Sequence, residues 1–251
     1  YDSGEEHGVF YFTMEVIHEP TLFQVMVDEG YPATTLPMSK ICDVIGGTLE
    51  ALDFCHQRKV LHRDLKPSNI FVSEKRGAVL ADFGLAQLSD MNKLTAQGAF
   101  LGTELYASPE QLMGEELDGR SAIYQIGLIL YELVAGRLPF PNVWTTILHM
   151  KCEQTSLRSP RDINPAIPPE LEAVLLKSVA RKPEDRYATA HDMKIALDAH
   201  RHTNIGVPSA PPRMDPNNLD IEESVKTVAA VSGKDPVTAG TPRTPGAGAA
   251  T

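Results

Sequence analysis

The chain has 251 residues, 42% of them hydrophobic and 22% charged, with a formal net charge of −10. That length can bury a sizeable core in one large domain or two small lobes, and that charge argues against a nucleic-acid partner held through its phosphates. Three cysteines, Cys42, Cys55 and Cys152, show no CxxC spacing, and an odd count closes no complete disulfide set. Cys42 and Cys55 share one expected helix, where ~1.5 Å per residue puts them about 20 Å apart, beyond the ~7 Å reach of a bridge. A reducing compartment fits.

In chain order, "VFYFTMEVI" from Val9 to Ile17 is aromatic and β-branched and predicts a mostly buried strand. A turn-rich "HEP" follows. Pro37 stands at a first helical position, and Ile41, Val44, Ile45, Leu49, Leu52 and Cys55 keep one helical stripe up to Gln57. Gly46 and Gly47 should cost that helix about 1 kcal/mol each relative to Ala, which close packing against another backbone would justify. "NIFV" and "AVLA" flank the turn-forming "SEKRG" and predict a hairpin between Asn69 and Ala81. From Asp82 to Glu110 no period is sustained, which in a compact domain points to a functional segment.

Helical patterns then cover Ile123 to Ala135, Trp144 to Met150, Pro169 to Ala180 and Thr189 to His200. Pro169 suits a helix start, and "TAHD" at Thr189 resembles a capping box. "IYQIGLILYELVA" is interrupted by Gln125 and Glu132 and is shorter than the ~20 residues of a spanning helix, so it reads as a core helix. After His202 the composition turns to Pro, Ala, Gly, Thr and Ser. Residues 203–251 are therefore expected to form a disordered tail or linker, too poor in apolar area to offset ordering entropy. No basic, apolar leader opens the chain, so the expected location is cytoplasmic, with tethering to a membrane beyond the chain ends left open.

Asp64, Lys66, Asn69 and Asp82 stand near loop and hairpin ends in an otherwise apolar region. Two carboxylates, a cation and an amide can hold a divalent metal through oxygen ligands and leave one carboxylate to accept a proton. Ordinary surface ion pairs are the other reading of the same charges. The order of the motifs separates the two. "HRDLKPSN" at His62 to Asn69, "DFG" at Asp82 to Gly84 and "GTELYASPE" at Gly102 to Glu110 resemble the catalytic loop, metal-binding turn and activation-segment end of protein kinases. "FTMEVI" resembles the last small-lobe strand running into the hinge.

The resemblance runs from the Val9 strand to about His200 and implies an α+β, protein-kinase-like fold. Residues 1–17 would be a remnant of the small-lobe sheet and hinge, and residues 18–202 a mainly helical large lobe. It also implies that Asp64 accepts the proton of the substrate hydroxyl, that Asn69 and Asp82 hold Mg2+, and that Lys66 brings a cation to the transferring group. Thr103 would bond between the base and that lysine. Met14 would be the gatekeeper, with the backbones of Glu15 and Ile17 facing the adenine of ATP and Phe71 packing under it. His62 and Phe83 would be spine packing residues, and Glu110 and Arg186 a buried pair tying the activation segment to the last helices. "KPSN" favours serine and threonine hydroxyls of protein substrates.

"LTAQGAFLGT" and "SPEQ" further resemble bacterial Ser/Thr kinases that are switched on by autophosphorylation, which implies a kinase dimer as a partner. Thr95 lies at the acceptor position, and Arg63 could receive its phosphate as a bidentate pair. A second threonine common in that segment is Gln97 here.

Two departures stand out. In "RSAIYQIG", Ala122 replaces the family aspartate that accepts backbone N–H groups around His62 and Arg63. Each such donor left buried and unpartnered costs about 1–3 kcal/mol, unless Gln125 or a water substitutes. In addition, no G-x-G-x-x-G occurs, and thirteen residues precede Met14. The expectation is a Ser/Thr protein kinase lacking most of its small lobe, including the glycine-rich loop, the strand lysine and the helix that positions it. A pseudokinase or scaffold acting through the large lobe is the rival, supported by Ala122 and the missing front and opposed by intact Asp64, Lys66, Asn69 and Asp82. A small-molecule kinase is a third reading, disfavoured by the peptide-like activation segment.

Overall fold

The computed structural model describes residues 2–6, 9–30, 36–83, 105–140 and 157–206, all within one compact unit, Tyr1–Pro212. β1 (Asp2–Glu6) and β2 (Val9–Thr13) form a two-stranded antiparallel sheet, with Asp2 opposite Thr13 and Glu6 opposite Val9. The strand expected to run to Ile17 stops at Thr13, and the described side chains of that stretch are not mostly buried: Tyr11, Met14 and Val16 are 45%, 47% and 70% exposed. Aromatic and β-branched content predicts extended backbone, but burial needs a second layer that a two-stranded ribbon does not itself supply.

α1 (Leu22–Asp28) arises in the segment after "HEP", where no helix was expected. Thr21 and Gln24 make a capping box: Gln24 N–H donates to the Thr21 hydroxyl at 3.2 Å, and Thr21 N–H donates to Gln24 Oε1 at 2.8 Å. Leu22 and Met26, one turn apart, are buried beneath it. The chain entering α1 lies along β3 (Ile70–Ser73), with Val72 N–H donating to the Pro20 carbonyl at 2.8 Å and Thr21 bridged to Phe71. β3 pairs with β4 (Gly77–Leu80) from Ile70–Leu80 to Ser73–Gly77, within the span the two apolar runs predict. Gly77, at φ +73°, takes the left-handed conformation that closes this hairpin.

α2 (Met38–His56) begins one position after the expected helical start, with Pro37 as its N-cap. α3 (Pro109–Met113), α4 (Gly119–Ala135), α5 (Pro169–Ser178) and α6 (Ala190–Asp198) complete the lobe. α4 is buried from Ser121 to Ala135, which explains why its pattern is apolar all round rather than striped. Around it α2, α5 and α6 contribute Leu49, Leu52, Leu171, Leu175, Met193 and Leu197 to one core cluster, each such side chain stabilising by roughly 1.5–3 kcal/mol. Among the described residues no helix is long and apolar enough to cross a membrane. The expected Trp144 helix and Cys152 lie outside them. Cys42 and Cys55 are free thiols, and burial pushes the Cys42 thiol up to about 11.

The packed chain continues past His202. Ile205 is buried, and Asn164 Nδ2 donates to its carbonyl at 2.9 Å and to that of Val134 at 3.2 Å. The composition shift thus precedes the last core residue, because one apolar side chain and two carbonyl contacts leave no mark on composition. The rest of the expected tail, 207–251, lies outside the described residues.

The helical glycines divide by what surrounds them. A Cβ on Gly47 would stand 3.3 Å from the backbone N of Ala78, so α2 does pack closely on β4 there. A Cβ on Gly46 would meet nothing nearer than Lys194 Cε at 3.6 Å, whereas one on Gly127 would lie 2.7 Å from Ser178 Cβ, where α4 crosses α5. Gly46→Ala is therefore expected to stabilise by about 0.5–1 kcal/mol through helix propensity, and Gly127→Ala to destabilise by about 1–3 kcal/mol through overpacking. Urea unfolding of both variants checks this; a stabilising Gly127→Ala would contradict the crossing.

Candidate active site

The site is built where a short turn folds the chain back on itself. Lys66 is extended, and Pro67–Asn69 form a single 3₁₀ turn with Pro67 leading it. Asn69, which is buried, is thereby returned to Asp64: its Nδ2 donates to the Asp64 carbonyl at 2.8 Å and to the Asp64 carboxylate Oδ2 at 3.1 Å. Lys66 Nζ lies 2.8 Å from the same Oδ2, the two ionic side chains being 24% and 17% exposed. One carboxylate oxygen is thus anchored by an amide and a cation, and Oδ1 is the oxygen those two contacts leave open.

Asp82 is carried to the same place by the hairpin. Ala81 N–H donates to the Asn69 carbonyl at 3.1 Å, which extends the β3–β4 ladder to the residue just before Asp82. Asp82 and Arg63 both hold left-handed backbone, φ +57° and φ +69°, a strain of about 1–3 kcal/mol each that persists only where the surroundings impose it. Two contacts impose it on Arg63: its carbonyl accepts from Gln111 Nε2 at 2.6 Å, and the fully buried His62 beside it donates from Nε2 to the Ala81 carbonyl at 2.9 Å. The His62 ring also stacks on Phe83, centroids 4.5 Å apart and tilted 39°. Burial pushes the His62 pKa below its ordinary value, against the opposing pull of the Ala81 carbonyl, Asp64 and Asp82. Burial thus favours the neutral ring, which joins the loop around Arg63 to the turn at Asp82.

The oxygen donors suit a hard divalent cation. Asn69 spends its N–H groups on Asp64, which leaves its amide oxygen, and Asp82 adds an exposed carboxylate one ladder step away. No group of three or more His, Cys, Asp or Glu converges among the described residues. Two protein oxygens are too few for calcium or zinc but fit magnesium, which keeps water and phosphate oxygens as its remaining ligands.

Glu110 and Arg186 meet in the core as a bidentate pair, Nη1–Oε1 2.7 Å and Nη2–Oε2 2.9 Å. Arg186 also donates to the carbonyls of Ala180, Arg120 and Arg181 at 2.7, 2.9 and 2.9 Å, so its guanidinium is fully used. Burial raises the Glu110 carboxyl more than any single contact lowers it, but hydrogen bonds led by those from Arg186, together with the Arg186 charge, outweigh it in sum and hold the pKa below the ordinary value. Toward the hinge, the Glu15 side chain pairs with Arg76 at 2.8 Å, Ile17 is partly buried, and Phe71 sits on β3 beside the Thr21 bridge. Ala122 is buried in the apolar core cluster. Thr95 and Thr103 lie outside the described residues.

Sequence reasoning missed the supports. "SPEQ" carries the signal of a capping box, and Ser108 and Gln111 do form one: Gln111 N–H donates to the Ser108 hydroxyl, and Ser108 N–H donates to Gln111 Oε1 at 3.0 Å. That frees Gln111 Nε2 for Arg63. Tyr106 OH likewise donates to Glu132 Oε2 at 2.6 Å, joining the segment before α3 to α4, and nothing in the sequence marks that pair.

A mainly helical lobe beside a small antiparallel hairpin, with an anchored carboxylate, an amide and a second carboxylate at the hairpin's mouth, defines a protein-kinase-like architecture. The model of the protein kinase domain matches residues 1–196. The chain is 33% identical over 205 residues to the serine/threonine-protein kinase PrkC of Bacillus subtilis (strain 168), covering 80% of this chain and 31% of that protein. It is 35% identical over 217 residues to the serine/threonine-protein kinase PknB of Mycobacterium tuberculosis, covering 84% and 34%. It therefore spans about a third of the length of these relatives. Among solved structures, a point mutant of the Mycobacterium tuberculosis PknI kinase domain superposes with a TM-score of 0.60 at 26% identity, covering 79% of this chain and 68% of that one. The chain belongs to the protein kinase family.

Proposed function

We propose that this chain carries the catalytic large lobe of a Ser/Thr protein kinase, which transfers the γ-phosphate of ATP to protein hydroxyls. The observation that carries this reading is the Asp64 carboxylate, held at one oxygen by Asn69 and Lys66 and set beside Asp82. The names of PrkC and PknB support the same class. Asp64 accepts the proton of the acceptor hydroxyl and orients it for in-line attack, and Lys66 keeps a positive charge beside that transfer. Asn69 and Asp82 would hold magnesium, whose charge, when bound, offsets that building on the phosphate oxygens. Glu15, Ile17 and Phe71 line the adenine side, and Thr103 links base and lysine. Thr95, phosphorylated by a second copy and received by Arg63, is the activating switch of a cytoplasmic enzyme.

The protein expressed from its whole natural reading frame tests this. It is expected to phosphorylate a peptide with a single serine or threonine and not its tyrosine counterpart, and Asp82→Asn is expected to weaken magnesium-dependent ATP binding by about tenfold or more. Unchanged nucleotide affinity in Asp82→Asn, measured by titration calorimetry with and without magnesium, would overturn the metal assignment. Equal transfer to tyrosine would overturn the acceptor class.

A further inference from the structure

Gln111 stands between two backbone groups that fix which way its amide points. Ser108 N–H can only donate and takes Oε1 at 3.0 Å, whereas the Arg63 carbonyl can only accept and takes Nε2 at 2.6 Å. The first contact belongs to the capping box of α3, and the second crosses 48 positions to the loop that carries Asp64. α3 is itself held in the core, with Ser108 fully buried and Glu110 clamped by Arg186. Gln111 therefore joins a fixed helix to one carbonyl of that loop.

The carbonyl belongs to the planar peptide unit shared by Arg63 and Asp64, so a bond to it sets the plane from which Asp64 departs. Arg63 holds φ +69° there, a backbone that persists only where its surroundings impose it. Asn69 and Lys66 hold Asp64 from its own carbonyl and carboxylate, and Gln111 holds it from the preceding peptide. We propose that Gln111 is a positioning residue for phosphoryl transfer, directing the Asp64 carboxylate toward the acceptor hydroxyl through the Arg63 carbonyl. This rests on the reading of Asp64 as the base. A misplacement of about 1 Å can cost on the order of 10²-fold in rate, so this bond acts on turnover without touching acceptor, nucleotide or metal.

Two substitutions separate this role from the cap. Gln111→Glu keeps the capping box, which glutamate completes as glutamine does, but sets a carboxylate oxygen against the Arg63 carbonyl in place of the N–H donor. Gln111→Lys keeps a donor and gives up the acceptor that Ser108 N–H uses. In the protein expressed from its whole natural reading frame, Gln111→Glu is expected to lower kcat on a serine peptide by about tenfold to a hundredfold. Its thermal midpoint, its KM for the peptide and its ATP affinity by calorimetry should stay near those of the unaltered protein. Gln111→Lys should keep more turnover than Gln111→Glu while losing more thermal stability. Unaltered kcat in Gln111→Glu, a matching loss of ATP affinity in that variant, or lower turnover in Gln111→Lys than in Gln111→Glu overturns the proposal. Asp64→Asn measured alongside keeps the two readings apart. Near-normal turnover there removes the base assignment and this proposal with it, whereas its expected loss beside unaltered kcat in Gln111→Glu removes this proposal alone.

Discussion

Asp64→Asn is expected to lower phosphoryl transfer by about 10²–10⁴-fold while leaving ATP affinity near that of the unaltered protein. The substitution keeps the shape of the side chain and removes the charge proposed to accept the hydroxyl proton. It also deprives Lys66 Nζ of the carboxylate 2.8 Å away, so the cation beside the reaction is less well placed. Nucleotide affinity should survive, because the oxygens proposed to hold the metal, from Asn69 and Asp82, remain. Steady-state turnover on a serine peptide, with ATP affinity measured separately, separates the two effects. Near-normal turnover would show that Asp64 is not the base. A parallel loss of ATP affinity would show that it holds nucleotide rather than acceptor.

Arg186→Ala is expected to destabilise the protein by about 3–5 kcal/mol, the cost of leaving one partner of a buried ion pair uncompensated. The pair's side chains are 0% and 5% exposed, and the substitution also strips three backbone carbonyls of their donor. Glu110 supplies a pH signature for the same contact. Its pKa in the folded protein lies below the ordinary glutamate value, so the unfolded chain binds the proton first as pH falls. The pair's contribution is whole above the unfolded pKa, about 4.3, and is lost as pH drops from there through the lower folded value. Urea unfolding from neutral pH to below about 4 should show stability falling in the unaltered protein and a flatter profile in Glu110→Gln. A loss of under about 1 kcal/mol for Arg186→Ala would mean the pair is not what joins the α3 region to the end of the lobe.

How much of this was legible depended on how local each signal was. The stripe from Ile41 to Cys55 repeats every three to four residues, so α2 was readable within a residue or two of its ends. Two apolar runs around a turn placed the β3–β4 hairpin. α1 was missed although its capping box is four residues long, because "HEP" draws attention to the turn and the helix has only Leu22 and Met26 to show as a buried stripe. The pairing of Glu110 with Arg186 was available through family likeness alone; nothing in their spacing requires it.

By itself the sequence determined the class and order of the longer elements, α2, the β3–β4 hairpin, α4, α5 and α6, and offered the residues proposed for the chemistry, since periodicity, turn residues and contiguous motifs act over a few positions. Only the tertiary structure decided how those residues are held. Gln111 reaches Arg63 across 48 positions, Arg186 reaches Glu110 across 76, and Asn164 ties Ile205 to Val134 across 41 and 30. The strained backbone at Arg63 and Asp82 has the same origin, for neither residue favours a left-handed conformation strongly enough to adopt it unaided. Contacts of such separation depend on how α2, α4, α5 and α6 pack around one core, and packing is a property of all the faces at once rather than of any one segment.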